Sequence, residues 1–383
     1  MNKTSTKGSH TMKTKGAILR GAPGKFETAE IELEKPRTGE LLIRMAAAGL
    51  CHSDDHMATG DIPAGSYPLC GGHEGAGIVE EIGPSTLGWE VGDHVVFSFV
   101  PACGHCHWCA IGKQNLCDLG ANMLAGTRFE DTTSYRMSIG DEPVGQMCGL
   151  STFSEYTTVS VNSAVRVDKS LPLDKLSLLG CGVGTGWGSA VNAGQVGPSD
   201  TVIVMGVGGI GTSAVQGAAH AGARDVIAVD PVAFKRETAL KLGATHAVAS
   251  IDEANELART LTNGAGADVA IVTVGVTTGQ HIGQAIGAIR KAGIVVATGA
   301  GPATVSDVPI NLLEFTMSEK KLVGALYGQS SPMAMIPRLA DLYSTGHLKL
   351  DEMITQTYTL DQIAQGFEDM HAGSIIRGVV LFD

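Results

Sequence analysis

The apolar run Thr201–Met205 passes straight into Gly206-Val207-Gly208-Gly209-Ile210-Gly211, and a second apolar stretch with helical spacing follows. A buried strand that turns on glycine into a helix opens a βαβ unit, and it commits the segment around it to a parallel sheet. Glycine in the first place allows the tight turn. In the third it lets a pyrophosphate approach the backbone, and in the sixth it lets helix and strand pack closely. The phosphates would then lie at a helix N-terminus, where free N–H groups and the dipole favour anions. Asp230 ends the next strand, 19 residues after Gly211. A carboxylate there accepts hydrogen bonds from both hydroxyls of an adenosine ribose and repels a 2′-phosphate, which selects NAD over NADP.

The alternation continues on both sides. Thr201–Met205, Val226–Val229, Ala267–Val274 and Gly293–Thr298 read as buried parallel strands, with helices Gly211–Gly222, Ala233–Gly243, Ile251–Leu261 and Gln280–Lys291 between them. The expected fold class is therefore α/β, with a doubly wound parallel sheet over residues 184–326. The chain before it is mostly β, in short runs such as Glu40–Met45, Ala76–Ile82 and His94–Phe99 broken by Gly, Pro and Asp. From Tyr327 the tail offers helices near Met333–Tyr343 and Leu360–His371 and a last strand, Gly378–Phe382. It is expected to pack back on the first domain, giving that domain residues 12–183 and 327–383. Residues 1–11 are polar, lack the apolar core of a secretion signal and read as a disordered extension, with Met12 as the natural start.

Two stretches without Asp, Glu, Lys or Arg, Leu176–Ser199 and Thr201–Ala223, raise the question of a membrane span. Their glycines, with Asn192, Gln195, Gln216 and His220, favour a βα unit instead. With 27 Lys and Arg against 39 Asp and Glu the chain carries −12, which argues against nucleic acid or an anionic membrane as partner.

Eight cysteines without a secretion signal point to reduced thiols in the cytoplasm, hence to metal or catalysis rather than disulfides. Cys103, Cys106, Cys109 and Cys117 have the spacing C-x2-C-x2-C-x7-C, within a lobe over residues 101–120. Four thiolates in one short loop close a tetrahedral zinc cage with no open position, so this site is structural. A bacterial iron–sulfur motif would place its fourth Cys after three residues and before Pro. Here Asp118 follows Cys117. A nucleic-acid zinc ribbon would be basic, and this lobe has only Lys113 and, further on, Arg128. Three more segments each offer one zinc ligand: Cys51 in Gly49–His56, His73 in Gly72–Gly77 and Cys181 in Gly180–Gly186. Two Cys and one His, with the fourth place left to water or substrate, make a catalytic zinc site.

With these residues the chain resembles the zinc-containing medium-chain alcohol dehydrogenases from Met12 to Asp383. The resemblance implies a GroES-like, mostly-β catalytic domain beside a Rossmann cofactor domain, with two zinc ions per subunit and NAD(H). It implies that Cys51, His73 and Cys181 bind the catalytic zinc and that Asp54 and Glu74 support it, Asp54 by orienting His73. Ser53 and His56 match the family's proton relay. Asp230 and Lys235 match its ribose contacts, Arg377 its pyrophosphate-binding arginine, and His52 a position also near the pyrophosphate. Thr185 would touch the nicotinamide. Phe99, Met147, Ala300 and Leu326 align with the substrate pocket; simple core residues are the competing reading. Cys70 reads as core, and Cys148 as a border of the pocket.

The stretches Val229–Glu237 and Gly180–Val183 further resemble bacterial nicotinoprotein alcohol dehydrogenases, which keep NAD bound and pass electrons to an external acceptor such as dimethylnitrosoaniline. Glutathione-dependent formaldehyde dehydrogenases carry Arg four residues after the last lobe cysteine; Ala121 stands there. The expected function is oxidation of a small alcohol to an aldehyde or ketone, by a homo-oligomer. Rival readings are an ordinary NAD-exchanging dehydrogenase, a relative of the formaldehyde enzymes, a zinc-free quinone reductase and a non-catalytic zinc and dinucleotide sensor.

Overall fold

Five strands of the N-terminal part, Thr11–Leu19, Glu27–Glu34, Met137–Ile139, Glu142–Gln146 and Leu69–Cys70, close into a barrel. The computed structural model describes residues 11–383. The predicted N-terminal extension lies outside these for residues 1–10, while Thr11 already pairs with Glu34 in the barrel. Beside the barrel, Glu40–Gly49 is the spine of a 7-stranded sheet. It pairs with Gly75–Ile82 on one side and with Arg377–Leu381 on the other, both antiparallel. Val380 faces Ala48 and Val379 faces Gly49, so the end of the chain is a full member of the first sheet.

The second sheet is six-stranded and parallel throughout. Its order is His246–Val248, Asp225–Val229, Thr201–Met205, Ala267–Val272, Ile289–Ala297 and Lys321–Gly324. Counted along the chain this is 3-2-1-4-5-6, so the order reverses beside the first strand. Every residue of Thr201–Met205 and Asp225–Val229 is buried, as befits strands covered by helices on both faces. Helices Gly209–His220 and Ile251–Leu261 are among those covers. Of the two charge-free stretches, Thr201–Ala223 is a strand and a helix of these layers, whereas Leu176–Ser199 holds no strand and forms short helical turns whose first part, Leu176–Leu179, is buried against the first sheet rather than opening a βα unit. No helix among the described residues is long and apolar enough to cross a membrane.

Three of the elements that differ from the sequence expectation bear on the site or its sheet. The helix expected to reach Lys291 is Gly279–Ala288, and Ile289 already starts a strand opposite Ala267. Ile289 is 2% exposed, and pairing in the sheet outweighs the helical spacing of the residues before it. The edge strand Lys321–Gly324 was not foreseen; its mixed, mostly exposed residues carry no buried-strand signal. Helix His52–Thr59 also went unseen. Asp54 and Asp55 stand in its first turn, and Gly60, at φ 88°, ends it with an N–H donated to the His56 carbonyl.

Candidate active site

Local backbone rules deliver each side chain. Cys51 caps helix His52–Thr59 where the spine strand ends. His73 follows Gly72, whose φ of 89° is open to glycine and whose Cβ would sit 2.5 Å from Phe153 N. Cys181 lies at the joint between the turn Ser177–Gly180 and helix Gly182–Gly188. The Cys51, His73 and Cys181 ligand atoms all lie within 4.8 Å of one another, and all three residues are buried.

The histidine is aimed. Asp54 Oδ1 accepts from His73 Nδ1 at 3.2 Å and from the Gly72 N–H at 2.9 Å. With Nδ1 protonated, Nε2 is left facing Cys181 Sγ at 3.3 Å. Burial alone would discharge the His73 ring, yet Asp54 and Cys51 beside it hold the imidazolium well above its usual range. A hydrogen bond from Cys181 first, and then His73 and Arg377, hold the Cys51 thiol well below its ordinary value, against burial. Burial pushes Glu74 up to about 7, against the pull of Arg377, whose Nη2 donates to Glu74 Oε1 at 2.8 Å. Cys51 Sγ lies 3.7 Å from Ser53 Oγ.

The glycine loop stands at the C-terminal end of the first strand of the parallel sheet. Gly206 has φ 87°, so the turn requires glycine. A Cβ on Gly211 would overlap the Gly206 carbonyl, whereas one on Gly208 would meet nothing within 4 Å. Gly209 and Ile210 open the helix behind it. Asp230 Oδ2 accepts from the Val207 N–H at 3.0 Å and Oδ1 from the Val232 N–H at 2.9 Å, which ties the loop to the next strand. Arg377 packs along Gly209, joining the loop to Glu74 and the ligand cluster. The Lys235 ammonium lies 3.7 Å from the place a Cβ on Gly373 would take, and the His52 ring lies against Gly275. Thr185 is buried in helix Gly182–Gly188, its N–H donating to the Cys181 carbonyl.

His56 takes a different setting from Ser53. Its ring nitrogens meet Asp61 Oδ2 and the Gly275 carbonyl, each at 3.1 Å. Of the aligned pocket residues, Phe99 packs edge-to-face on His73 at 5.8 Å and on Tyr327 at 6.0 Å. Met147 and Cys148 are buried in a cluster that Phe99 borders, and Leu326 is exposed. Burial pushes Cys148 up to about 11, and Cys70 to about 12. Both are ill suited to act as thiolates.

Cys103, Cys106, Cys109 and Cys117 form a second cluster with ligand atoms within 4.8 Å of one another. Cys103 and Cys109 sulfurs are 4.0 Å apart and those of Cys106 and Cys117 3.9 Å, and all eight cysteines are free thiols. Zn–S bonds of about 2.3 Å would span a tetrahedron with edges of about 3.8 Å. Backbone N–H groups of Asp118 and Cys109 draw Cys106 down to about 6.

Sequence reasoning missed Asp61 and Tyr327. Tyr327 is 1% exposed, donates its hydroxyl to the Leu179 carbonyl at 2.8 Å and presses its ring on Gly184. The glycine run around Gly184 was the available signal, because repeated glycine in a helix marks a close approach.

Residues 37–169 match the alcohol dehydrogenase GroES-like domain family, and residues 209–344 the zinc-binding dehydrogenase family. The chain is 50% identical over 370 residues to the NDMA-dependent alcohol dehydrogenase of Amycolatopsis methanolica, covering 97% of this chain and 99% of that one. It is 44% identical to alcohol dehydrogenase B of Mycobacterium tuberculosis over 371 residues, with the same coverage. Among solved structures it is similar to an alcohol dehydrogenase zinc-binding domain protein from Burkholderia ambifaria, with TM-score 0.90, 31% identity and coverage of 97% of this chain and 100% of that one. Benzyl alcohol dehydrogenase from Acinetobacter calcoaceticus follows with TM-score 0.89, 29% identity and the same coverage. Two ligand clusters, a glycine loop at the turning point of a parallel sheet and relatives matched over almost their whole length lead to one conclusion: this chain belongs to the zinc-binding, medium-chain alcohol dehydrogenases.

Proposed function

We propose that the protein oxidises a small alcohol reversibly to an aldehyde or ketone, with one zinc held by Cys51, His73 and Cys181 and NAD as hydride acceptor. The observation that carries this reading is the convergence of two sulfurs and one imidazole nitrogen, with three protein ligands among the described residues, beside the cofactor loop. The donor set fits zinc: borderline-soft ligands, a buried pocket and a carboxylate behind the histidine. A second, structural zinc fits the four-sulfur cluster of the lobe. The cofactor also finds suited groups. Arg377 Nε is buried without a partner in the structure, alongside Gly209, and is a donor matched to a phosphate.

Bound at these places, zinc would acidify the alcohol and the nicotinamide would accept its hydride. The chain's own part is orientation and proton handling. Gly206–Gly211 and Arg377 receive the pyrophosphate, with His52 near it. Asp230 and Lys235 hold the ribose, and Thr185 borders the nicotinamide. Ser53, two residues from Cys51, takes the alcohol's proton toward His56. Asp54 and Glu74 keep the ligands in place. Phe99 and Met147 make the pocket apolar, which suits a primary or allylic alcohol better than a polyol. Residues 12–183 and 327–383 form the catalytic domain in this scheme, and 184–326 the cofactor domain.

NAD is further proposed to stay bound and to be reoxidised in place by an external acceptor. The NDMA-dependent relative supports this, together with the Val229–Glu237 stretch. The partners are then a small alcohol or aldehyde and the acceptor, in a cytoplasmic enzyme. Leu312, Leu313 and Met317, each 74% exposed, stand before the edge strand Lys321–Gly324, and such an apolar edge supports a homo-oligomer. The test is a spectrum of the purified, desalted protein with its metal content. Retained NAD(H) absorbance, two zinc ions per subunit and alcohol turnover that needs dimethylnitrosoaniline are expected. Turnover supported by added NAD alone, with no retained cofactor, would favour the ordinary exchanging enzyme.

A further inference from the structure

His56 is 1% exposed, so its ring has no open path to bulk water. Nδ1 lies 3.1 Å from Asp61 Oδ2 and Nε2 lies 3.1 Å from the Gly275 carbonyl oxygen. Both partners can only accept. A neutral imidazole has one N–H and satisfies one of them; the doubly protonated ring satisfies both. In either tautomer of the neutral ring, one nitrogen therefore faces an acceptor with no proton between them. Thr59 Oγ1 also donates to Asp61 Oδ2, at 3.0 Å, and the Ala303 N–H of the cofactor domain donates to the Asp61 carbonyl at 3.0 Å. Asp61 is thus fixed in place, while its side chain keeps 33% of its surface in solvent.

The other charged groups nearby are accounted for. Asp55, on the same helix, pairs with His371 at 2.8 Å. His52 lies under Gly275, and the Gly275 loop turns only a carbonyl toward His56. Asp61 is the carboxylate that faces the ring. The hydrogen bonds from His56 and Thr59 hold it below its usual range, so it stays charged.

We propose that Asp61 is the positioning residue of the proton exit: it fixes the Nδ1–H tautomer of His56, stabilises the imidazolium and leads the proton to solvent. The proposal rests on the reading that His56 takes the alcohol's proton. One proton enters at Nε2 and one leaves from Nδ1 along the Asp61 carboxylate to water; the ring, left as its Nε2–H tautomer, then rotates to present a protonated nitrogen to Asp61 again, and no electrons move. While the ring is loaded, Nε2–H donates to Gly275 and ties the catalytic helix to the cofactor domain.

The experiment compares Asp61→Asn, Asp61→Glu, His56→Ala and the double variant His56→Ala/Asp61→Asn, each as holoenzyme, by the pH profile of kcat/KM for alcohol oxidation. Asp61→Asn removes the carboxylate that faces the ring and so disfavours its protonated form. The rising limb of the Asp61→Asn profile is expected at lower pH, with a lower plateau. Asp61→Glu should restore the parent limb, His56→Ala should abolish it, and Asp61→Asn should change nothing further in the His56→Ala background. A parent-like limb and plateau in Asp61→Asn, with His56→Ala still impaired, would overturn the role of Asp61 alone. An unchanged limb in His56→Ala would overturn the relay itself and this inference with it.

Discussion

Two glycines of the cofactor loop should respond to the same added methyl group in opposite ways. A Cβ on Gly211 would overlap the Gly206 carbonyl, inside a turn that φ 87° at Gly206 makes rigid. Overpacking of this kind costs about 1–3 kcal/mol, and alanine's better helix propensity returns about 1 kcal/mol. Gly211→Ala should therefore lose up to about 2 kcal/mol, or up to about 8 °C in melting temperature for a domain of this size. A Cβ on Gly208 would meet nothing, so Gly208→Ala should melt within about 0.5 kcal/mol of the parent. The same open face is where a pyrophosphate would reach the helix N-terminus. A methyl group there displaces charge-assisted hydrogen bonds worth about 1.5–3 kcal/mol each, so NAD should bind about 10–100-fold more weakly. Differential scanning calorimetry and NAD titration of stripped protein read the two effects separately. A Gly208→Ala protein that keeps NAD as the parent does, or that melts as early as Gly211→Ala, would refute this division of roles.

The remaining perturbations address single groups. His73→Ala should remove about half of the bound zinc and all alcohol turnover, read by metal analysis and assay; full activity with that zinc gone would contradict the ligand assignment. Asp230→Ala should weaken NAD and also loosen the loop, because both carboxylate oxygens hold backbone N–H groups; unchanged cofactor retention after desalting would count against it. Cys109→Ser should lower thermal stability far more than kcat at low temperature, and a fully heat-resistant but inactive variant would exclude a structural lobe. Glu40 is buried against Arg128 and Arg136 at 2.9 and 2.7 Å. Burial would raise its pKa, but the two arginines outweigh it and lower the value. Its stabilisation is thus present above its unfolded value near 4.5 and is lost as pH falls through the lower folded value. Glu40→Gln should cost about 3 kcal/mol at pH 7, with a gap to the parent that narrows below about pH 4. A gap that does not change with pH would sink that account.

What the sequence makes legible follows from where the information is local. The parallel strands are buried on both faces, so Thr201–Met205 and Asp225–Val229 announce themselves as unbroken apolar runs. Ligand spacing is equally local in the lobe, where one loop supplies all four sulfurs. The barrel strands hide because they are half solvated: Thr11–Leu19 and Glu27–Glu34 mix charged with apolar residues. Ile289 changes from expected helix to strand only because Ala267 stands opposite, a partner no window of sequence contains. Asp61 is the sharpest case. Nothing in its neighbours singles it out, since its meaning comes from a ring five residues away and a carbonyl from the other domain.

The Glu74–Arg377 pair shows why such long-range meaning is not incidental. Its partners are 303 residues apart, and a buried ion pair taken by itself adds little net stability once desolvation is counted. Its value here is positional. Gly49, Gly182 and Gly209 each leave room for the guanidinium, and a side chain on any of them would strike it. The first belongs to the spine strand, the second to the helix that begins after Cys181, and the third to the cofactor loop. Arg377 reaches this point because its strand is locked antiparallel beside Gly49. One guanidinium thereby sets the distance between the ligand cluster and the loop that would carry the cofactor. Hydride transfer depends steeply on that distance, which is reason enough to bury a charge there when an apolar pair of the same size would fold at least as well.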